Sequence, residues 1–344
     1  MDDDRTNPPL TVSVDVAEHT LRQEFRVSHA TTSVVHLLTL TVRDRHGREH
    51  GRGEISADRG FGQDGPSIAR EAAELSRLLL AENDIERADV LDALLDRHAE
   101  DVSGPARMLV EMALLDRAAR LANRAVWQLL GLPDPGRVQL LHTVPIGQDA
   151  TVADRPLKVK LGSQDDERVL GGLLGSPGPI LLDVNTGWDR AARDRLADLV
   201  ARLAPDVLED PTDDPELLQD IRSALPHTRV MLDESVHTAT DVLRAANLAD
   251  GANVKVMRMG GLLPAVRSLN LLRDRGLTRM VGCFLEPERS VAYAAQLRGI
   301  ADWTDLDGHF WITGDPPVSH YQLDSSRPGV PVISYDIAGH DVAR

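Results

Sequence analysis

Cysteine, aromatic residues and lysine are all scarce in this sequence of 344 residues. The single cysteine, Cys283, excludes a disulfide bond within the chain. Four tryptophans, three tyrosines and four phenylalanines are too few to build a platform on which nucleobases stack. The formal net charge of −16, with no basic block, makes binding to a phosphate backbone unfavourable. We therefore expect no nucleic-acid partner.

Long apolar segments are also missing. No stretch approaches the roughly 18 consecutive apolar residues that span a membrane. The N-terminal segment MDDDRTNPP is acidic and is not followed by an apolar run, so it does not resemble a signal peptide. Hydrophobic residues nevertheless make up 42% of the chain, enough for a large core. We expect a soluble, cytoplasmic protein without a membrane partner and, at roughly 150 residues per domain, with about two domains.

The scarcity of lysine is the most informative feature. Only three of the 38 basic residues are lysine: Lys158, Lys160 and Lys255. Arginine stays protonated at any useful pH, whereas a buried lysine can lose its proton and act as a base. Drift in an arginine-rich chain would also leave a few lysines. The motifs in which the three lysines lie decide between these interpretations.

The first third of the chain has strand patterns followed by helix patterns. Residues 11–16 and 25–42 are rich in valine, leucine and threonine and are typical of strands. Residues 67–82 and 87–98 have the apolar spacing of helices. A further helix is predicted to begin after Ser103, whose side chain can cap it.

Beyond residue 138, short apolar runs alternate with helical stretches. Eight such runs occur, at residues 140–147, 157–162, 180–185, 207–210, 229–235, 253–257, 279–284 and 301–306. Alternating strands and helices predict a parallel sheet, and eight units predict a TIM-type barrel. A doubly wound open sheet is the alternative, but the glycine fingerprint that follows its first strand is absent.

Acidic residues end three successive predicted strands: Asp183, Glu209 and Asp233. The carboxyl ends of barrel strands form the active-site face, so we expect these carboxylates to converge. Three buried negative charges are costly unless a cation neutralises them. Oxygen ligands alone favour Mg²⁺, or alternatively Mn²⁺, over zinc. The sequence therefore predicts a metal site at this cluster.

Two of the lysines end opposite strands of the predicted barrel, Lys160 the second and Lys255 the sixth. Lys158 points the same way as Lys160, because side chains at i and i+2 on a strand share a face. Two amines that face each other across a metal indicate removal of a proton from one face of a carbon and its return on the other. The metal would stabilise an enolate formed from a carboxylate.

These motifs together resemble the muconate lactonizing enzyme subgroup of the enolase superfamily. The matching segments are Lys158-Val159-Lys160, Asp183-Val184-Asn185, Glu209 with Pro211, Asp233-Glu234-Ser235, Asn253-Val254-Lys255, Met259-Gly260-Gly261-Leu262 and Gly282-Cys283. The resemblance covers nearly the whole chain, and all three lysines fall within its motifs. It implies that Lys160 and Lys255 are the acid and base catalysts and that Lys158 assists at the enolate. Asn185 and Glu234 are expected to lie beside the metal ligands.

The resemblance implies an α/β fold, a (β/α)7β modified TIM barrel capped by an N-terminal α+β domain. The expected division is residues 1–125 for the capping domain, 126–320 for the catalytic barrel and 321–344 for a tail that returns to the cap. Cap loops near residues 17–32 and 57–64 are expected to close over the substrate, as lids do. The family also suggests a homo-oligomer.

One further motif resembles that of the dipeptide epimerases in this subgroup. Asp305 and Asp307 match a DxD motif whose two acids bind the free amino group of a dipeptide. An ammonium group requires such carboxylates, and a neutral N-acyl group does not. His29, in the first cap loop, and Phe284 and Glu286, after the seventh strand, match positions that face the substrate in this family. The resemblance implies epimerisation at the α-carbon of the C-terminal residue of a dipeptide.

Departures from the family pattern bear on the substrate. Epimerases that act on Ala-Glu resemble each other in having an arginine in the first cap loop, where this chain reads Val27-Ser28-His29-Ala30. Ala-Glu is therefore not the expected substrate. Phe284 stands where a methionine is usual, and Asp210 replaces a common glutamine. An N-acylamino-acid racemase, an o-succinylbenzoate synthase or cycloisomerase-type lyase, and a barrel that only binds its ligand are the alternatives.

Overall fold

The computed structural model describes residues 10–57, 64–82, 84–136, 138–139, 141–148, 156–314, 321–327 and 330–335. These residues form an antiparallel three-stranded sheet with helices, an eight-stranded parallel sheet and a small C-terminal sheet. None of the helices in these ranges is long and apolar enough to cross a membrane. Most of the predicted cap loop at residues 57–64 lies outside the described residues.

The N-terminal sheet consists of β1 (Thr11–Arg26), β2 (Thr31–Arg43) and β3 (Glu49–Ala57), which pair in this order. β1 is longer than the sequence predicts, since its pairing with β2 continues past an irregularity in register. The first cap loop is therefore a tight turn at residues 27–30 and not a loop across residues 17–32. Pairing with a neighbouring strand decides this length, and the apolar pattern of one strand does not reveal it.

Helices α1 (Gly65–Leu79), α2 (Ala88–His98), α3 (Gly104–Ala122) and α4 (Val126–Leu129) follow the sheet. The predicted cap of α3 is confirmed, because the Ser103 side chain accepts a hydrogen bond from the amide of Ala106. α3 is largely buried and packs closely on β3 at Gly51 and Gly53. A Cβ atom at Gly53 would overlap the carbonyl of Leu109. α3 therefore packs directly on one face of the cap sheet.

After the short strand β4 (Val138–Gln139), the parallel sheet contains the eight predicted strands in sequence order. They are β5 (His142–Val144), β6 (Leu157–Lys160), β7 (Ile180–Asp183), β8 (Val207–Glu209), β9 (Arg229–Leu232), β10 (Gly251–Lys255), β11 (Thr278–Gly282) and β12 (Trp303–Asp305). The helices between them are α5 (Asp166–Leu173), α6 (Arg190–Leu203), α7 (Pro215–Ala224), α8 (Ala239–Leu248), α9 (Val256–Met259), α10 (Leu262–Asp274) and α11 (Glu288–Ala294). The described residues between β5 and β6 contain no helix. The barrel prediction is confirmed.

Alternation along the strands gives the barrel interior an apolar layer and a polar layer. The apolar layer includes Leu181, Val207 and Met231 on β7, β8 and β9. Side chains two residues further along a strand point the same way, so an acid follows each of these residues into the interior. The acids are Asp183, Glu209 and Asp233.

Asp307 joins the two ends of the parallel sheet. Its two carboxylate oxygens accept hydrogen bonds from Thr143, one from the amide at 2.6 Å and one from the hydroxyl at 3.0 Å. Thr143 belongs to β5, and Asp307 lies just beyond β12, so this contact bridges the first and the last barrel strands.

The C-terminal strands β13 (Tyr321–Arg327) and β14 (Val330–Tyr335) form an antiparallel pair, and β14 also pairs with β4. β4 lies between α4 and the first barrel strand, so the tail contacts the segment that leads from the cap to the barrel. The domain boundaries at residues 125 and 320 stay predictions.

A buried glutamate on α3 lies where the cap meets the barrel. Glu111 has no exposed surface. Its carboxylate accepts hydrogen bonds from the Tyr293 hydroxyl of α11 and from the amide of Leu262 at the start of α10. Burial raises the pKa of Glu111 to about 7, although Arg107 and these hydrogen bonds favour the charged form.

Replacing Gly53 with alanine should destabilise the cap. The added methyl group would overlap the Leu109 carbonyl, and overpacking of this kind typically costs about 1–3 kcal/mol of unfolding free energy. Gly171→Ala on α5 is the control, because no atom lies within 4 Å of the added Cβ and alanine is the better helix former. Chemical denaturation should show a loss of stability for Gly53→Ala alone. Equal stabilities of the two variants would contradict the close packing of α3.

Glu111 should make the protein less stable as the pH rises toward neutrality. Between pH 4.5 and about 7, the folded protein keeps a proton on Glu111 that the unfolded chain releases. The group favours folding below pH 4.5 and loses this contribution, about 3 kcal/mol, as the pH passes through 7. Glu111→Gln cannot titrate, so urea unfolding across this range should give a shallower fall for the variant. Parallel curves for variant and parent protein would count against the raised pKa.

Candidate active site

Three carboxylates converge at the carboxyl ends of neighbouring barrel strands. Asp183 and Glu209 end β7 and β8, Asp233 directly follows β9, and all three are fully buried. One oxygen of each lies within 4.8 Å of the others, close enough for one divalent cation to contact all three. The structure thus brings together the predicted metal ligands, which we call the acidic triad.

The second oxygen of each triad acid is held by a neighbouring donor. The amide of Asn185 donates to Asp183 Oδ1 at 3.2 Å. Asn253 Nδ2 donates to Oε1 of the triad glutamate at 2.9 Å. Arg258 Nη1 donates to Asp233 Oδ1 at 2.7 Å. Each carboxylate is therefore fixed through one oxygen, and its other oxygen is left to contact a cation.

The three lysines approach these remaining oxygens. Lys158 Nζ lies 2.9 Å from oxygens of both Asp183 and the triad glutamate. Lys160 Nζ lies 2.5 Å from Asp183, and Lys255 Nζ lies 2.6 Å from Asp233. β6 and β10, which carry these two lysines, are separated by β7, β8 and β9. The two amines therefore reach the acidic triad from different sides.

Burial and nearby charges shift the pKa values of the acidic triad in opposite directions. Burial opposes ionisation of Asp183, but the ammonium groups of Lys158 and Lys160 outweigh it and lower the pKa to about 2. Burial also opposes ionisation of Asp233, yet its lysine and arginine partners hold the pKa well below the usual range. Burial and the neighbouring carboxylates raise the pKa of Glu209 to about 8. The triad supplies three buried carboxylates and oxygen donors alone, and this donor set fits a divalent cation.

The same acids hold two of the lysines in their charged form. Burial by itself would lower the pKa of Lys158, but the neighbouring acids, Asp183 first among them, raise it well above its usual 10.5. The pKa of Lys255 is also raised, because Asp233 outweighs the effect of burial. The acidic triad therefore favours the ammonium form of both amines, and a divalent cation held by the triad would lower both pKa values by offsetting its charge.

Loops from neighbouring elements lie beside the acidic triad. Asn185 Nδ2 donates to Glu234 Oε1 at 2.8 Å, which links two of the motifs singled out in the sequence. The Ser28 hydroxyl of the first cap turn donates to the carbonyl of Asn185 at 2.9 Å. His29 Nδ1 lies 3.2 Å from the same hydroxyl. The first cap turn, with His29, therefore lies against the loop that follows β7.

The two acids of the DxD motif have different neighbours. Asp305 Oδ2 accepts a hydrogen bond from Lys158 at 2.6 Å, so this acid lies beside the acidic triad. Asp307 is engaged with Thr143 at the junction of the first and last barrel strands. Both acids are buried, and their role in binding substrate stays a prediction.

Phe284 and Glu286, the two predicted substrate contacts after β11, have different neighbours. The centroid of the Phe284 ring lies 4.5 Å from Lys255 Nζ, a cation–π distance. Glu286 accepts a hydrogen bond from the amide of Phe284 at 2.8 Å and another from the Ser290 hydroxyl. Phe284 therefore lies beside a predicted catalytic lysine, whereas Glu286 stabilises its own loop. That either residue contacts substrate stays a prediction.

Asn253, which lies in a segment that matches the family, and Arg258 were not predicted as site residues. Asn253 lies two residues before Lys255 on β10 and shares its face, so the spacing contained a signal for it. Arg258 donates to both the carboxylate and the carbonyl of Asp233. It reaches the acidic triad from α9, the short helix that follows β10, and no sequence pattern marks it.

Asn253→Leu should weaken the binding of divalent cations. The substitution keeps the approximate size of the side chain but removes the donor to Glu209, and loss of such an orienting hydrogen bond typically lowers metal affinity by about 10–100-fold. Calorimetric titration with Mg²⁺ and with Mn²⁺ measures the affinity directly. Asn270→Leu, on α10, is the control and should bind as the parent protein does. Unchanged affinity in Asn253→Leu would rule out the orienting role of the amide.

Comparison with known proteins points to one family. The sequence profile of the enolase C-terminal domain-like family matches residues 155–330, slightly more than half of the chain. A hydrophobic dipeptide epimerase from Roseobacter litoralis is 30% identical over 271 residues, which cover 70% of this chain and 77% of that protein. An L-Ala-D/L-amino acid epimerase from Pedosphaera parvula is 32% identical over 232 residues, 61% of this chain and 65% of that protein. The chain thus spans just under two thirds of the length of the second relative.

A solved structure has the same fold. The dipeptide epimerase from Enterococcus faecalis, complexed with Mg and the dipeptide L-Leu-L-Tyr, has a TM-score of 0.81 with this chain at 20% identity. The match covers 95% of this chain and 96% of that chain. The profile match and the identity with the Roseobacter relative show that the chain belongs to the enolase C-terminal domain-like family.

Proposed function

We propose that the protein is a Mg²⁺-dependent isomerase that epimerises a dipeptide at the α-carbon of its C-terminal residue. One lysine removes the α-proton from one face of the carbon, and a second lysine returns a proton to the other face. The intermediate is the enolate of the terminal carboxylate. The dipeptide epimerases among the relatives and the solved structures support this class of substrate.

The observation that carries the proposal is the placement of two lysines on different sides of one acidic triad. Lys160 contacts Asp183 at 2.5 Å, and Lys255 contacts Asp233 at 2.6 Å. β7, β8 and β9 lie between the strands that carry the two lysines. A substrate carbon held between the amines would meet one amine on each face, as epimerisation by two bases requires.

The acidic triad would hold the Mg²⁺ ion, which when bound supplies positive charge that stabilises the enolate. Lys158 adds a fixed ammonium group at the same place. It is 1% exposed and lies within 2.9 Å of Asp183, of Asp305 and of the triad glutamate. A preorganised cation of this kind acts on the charge that develops during the reaction, because no solvent has to reorganise around it.

Asp305 and Asp307 are proposed to bind the free amino group of the dipeptide. Both are buried, at 6% and 5% exposure, at the carboxyl end of β12. Their oxygens accept hydrogen bonds from Lys158 and Thr143. A carboxylate offers about four acceptor positions, so each can take a further donor. An acylated amino acid has no ammonium group and gains nothing from this pair.

The C-terminal residue of the substrate is proposed not to be glutamate. The first cap turn, residues 27–30, contains no arginine, and its ionisable side chain is His29. The Ser28 hydroxyl holds this turn against the loop after β7. An imidazole binds a carboxylate more weakly than the two-pronged guanidinium group does, so this turn favours side chains other than glutamate.

Deuterium exchange at the α-carbon tests this function. The protein with Mg²⁺ in D₂O is given one set of dipeptides and one set of N-acyl amino acids, and the mass of each product is followed. Deuterium should enter the C-terminal residue of a subset of dipeptides. Lys160→Ala and Lys255→Ala should each slow epimerisation by about 100–10,000-fold, the range for loss of a general acid or base. Asp305→Ala should abolish dipeptide turnover.

The controls separate the alternatives. Arg168→Ala removes an exposed cation on α5 and should leave the exchange unchanged. Exchange confined to N-acyl amino acids would make the protein a racemase and assign Asp305 and Asp307 to structure. No exchange in either set would contradict the epimerase proposal and favour a lyase, a cycloisomerase or a binding protein.

A further inference from the structure

The polypeptide turns sharply after each of the two proposed acid and base lysines. Lys255 is followed by the short helix α9 and then by Gly260 and Gly261, which have φ values of 85° and 136°. Lys160 is followed closely by Gly162, with a φ of 95°. Such backbone conformations suit glycine, and they persist where surrounding contacts determine them. The groups that hold each turn therefore affect where each lysine points.

Glu111 and Arg107 of α3 hold the turn after Lys255. The Glu111 carboxylate accepts a hydrogen bond from the amide of Leu262 at 2.5 Å, which caps α10 from outside. Arg107 Nη1 donates to the carbonyl of Gly260 at 2.7 Å and to Glu111 at 3.2 Å. Gly261, which lies between these two contacts, has no room for a side chain, because a Cβ atom there would overlap the Glu111 carboxylate. α3 therefore grips both sides of the turn.

A buried aspartate holds the turn after Lys160 in a comparable way. Asp166, the first residue of α5, is 1% exposed. Its Oδ2 accepts hydrogen bonds from the amide of Gly162 at 2.9 Å and from Trp188 Nε1 at 2.8 Å. Its Oδ1 accepts one from the amide of Ser163 at 2.9 Å. Trp188 lies in the loop after β7, so a single carboxylate joins that loop to the turn after Lys160.

We propose that Glu111 and Asp166 are positioning residues. Glu111 fixes the position of the Lys255 side chain, and Asp166 fixes the position of the Lys160 side chain. The inference rests on the proposed function of the two lysines. Each carboxylate acts through a backbone turn and not on the reacting atoms. The two carboxylates belong to different helices, α3 and α5, so each can be weakened without the other.

In a site with two bases, displacing one lysine should slow the reaction of only one epimer. Each lysine removes the proton from one epimer, because the two amines meet opposite faces of the carbon. A misplacement of about 1 Å can lower a reaction rate by about 100-fold, so a smaller shift still has a measurable effect. Loosening one turn should slow proton removal from one epimer, whereas general destabilisation of the protein would slow both alike.

The test measures deuterium uptake by each epimer of an accepted dipeptide separately, at early times, with the full chain in Mg²⁺ and D₂O. Lys160→Ala and Lys255→Ala first assign one epimer to each lysine. Glu111→Gln should then slow exchange of the Lys255 epimer about tenfold, because a neutral amide oxygen accepts the Leu262 hydrogen bond more weakly than a carboxylate does. Exchange of the Lys160 epimer should slow less than about twofold. Asp166→Asn should show the reverse asymmetry. Each variant is the matched control for the other.

A second measurement does not depend on activity. Amide hydrogen exchange read by mass spectrometry should be faster at residues 262–263 in Glu111→Gln and at residues 162–163 in Asp166→Asn. Where Glu111→Gln fails to fold, Arg107→Met takes its place, because it removes the donor to Gly260. This substitute should slow the same epimer.

Equal slowing of both epimers by each variant, or no slowing by either, would overturn the positioning roles while the epimerase function stands. If the parent protein exchanges neither epimer, the function proposed above fails, and the positioning roles fail with it. The parent protein and the lysine variants therefore distinguish the two failures.

Discussion

The cost of burying three carboxylates within 4.8 Å of one another governs the rest of the site. Charged groups that leave water lose several kcal/mol of solvation each, so cations must lie beside them. Arg258 meets this need with a planar group that stays protonated and grips Asp233 through two contacts. The three lysines meet it with compact amines that can also exchange protons. In a chain whose other cations are arginines, every lysine lies at this cluster.

The barrel places these charges without a long loop. Parallel strands in sequence order bring their carboxyl ends to one face, and alternation along each strand sets an acid above an apolar residue. The cap also contacts the active-site turns, because α3 packs against β3 on one side and holds the turn after Lys255 on the other. The geometry of one lysine is thereby coupled to the docking of the cap, whereas the carboxylate that holds the turn after Lys160 belongs to a barrel helix.

Much of the fold and the centre of the site could be predicted from the sequence. The eight strands, the acidic triad and the approach of the three lysines follow from residue types at the ends of apolar runs, and the structure contains them. Other features escaped prediction. β1 extends through the expected first cap loop because it pairs with β2. The described residues between β5 and β6 form no helix. Arg258 contacts Asp233 from α9, a helix of four residues that is too short to show a helical apolar pattern in the sequence.

The sequence by itself determined which side chains point into the barrel, because the direction of a side chain on a strand is a local property with a period of two residues. Only the tertiary structure decided which distant groups hold those side chains in place. Glu111 meets Leu262 across 151 positions of sequence, and Thr143 meets Asp307 across 164. Such contacts depend on how whole helices and strands pack, and packing follows from shape and volume that no local pattern encodes.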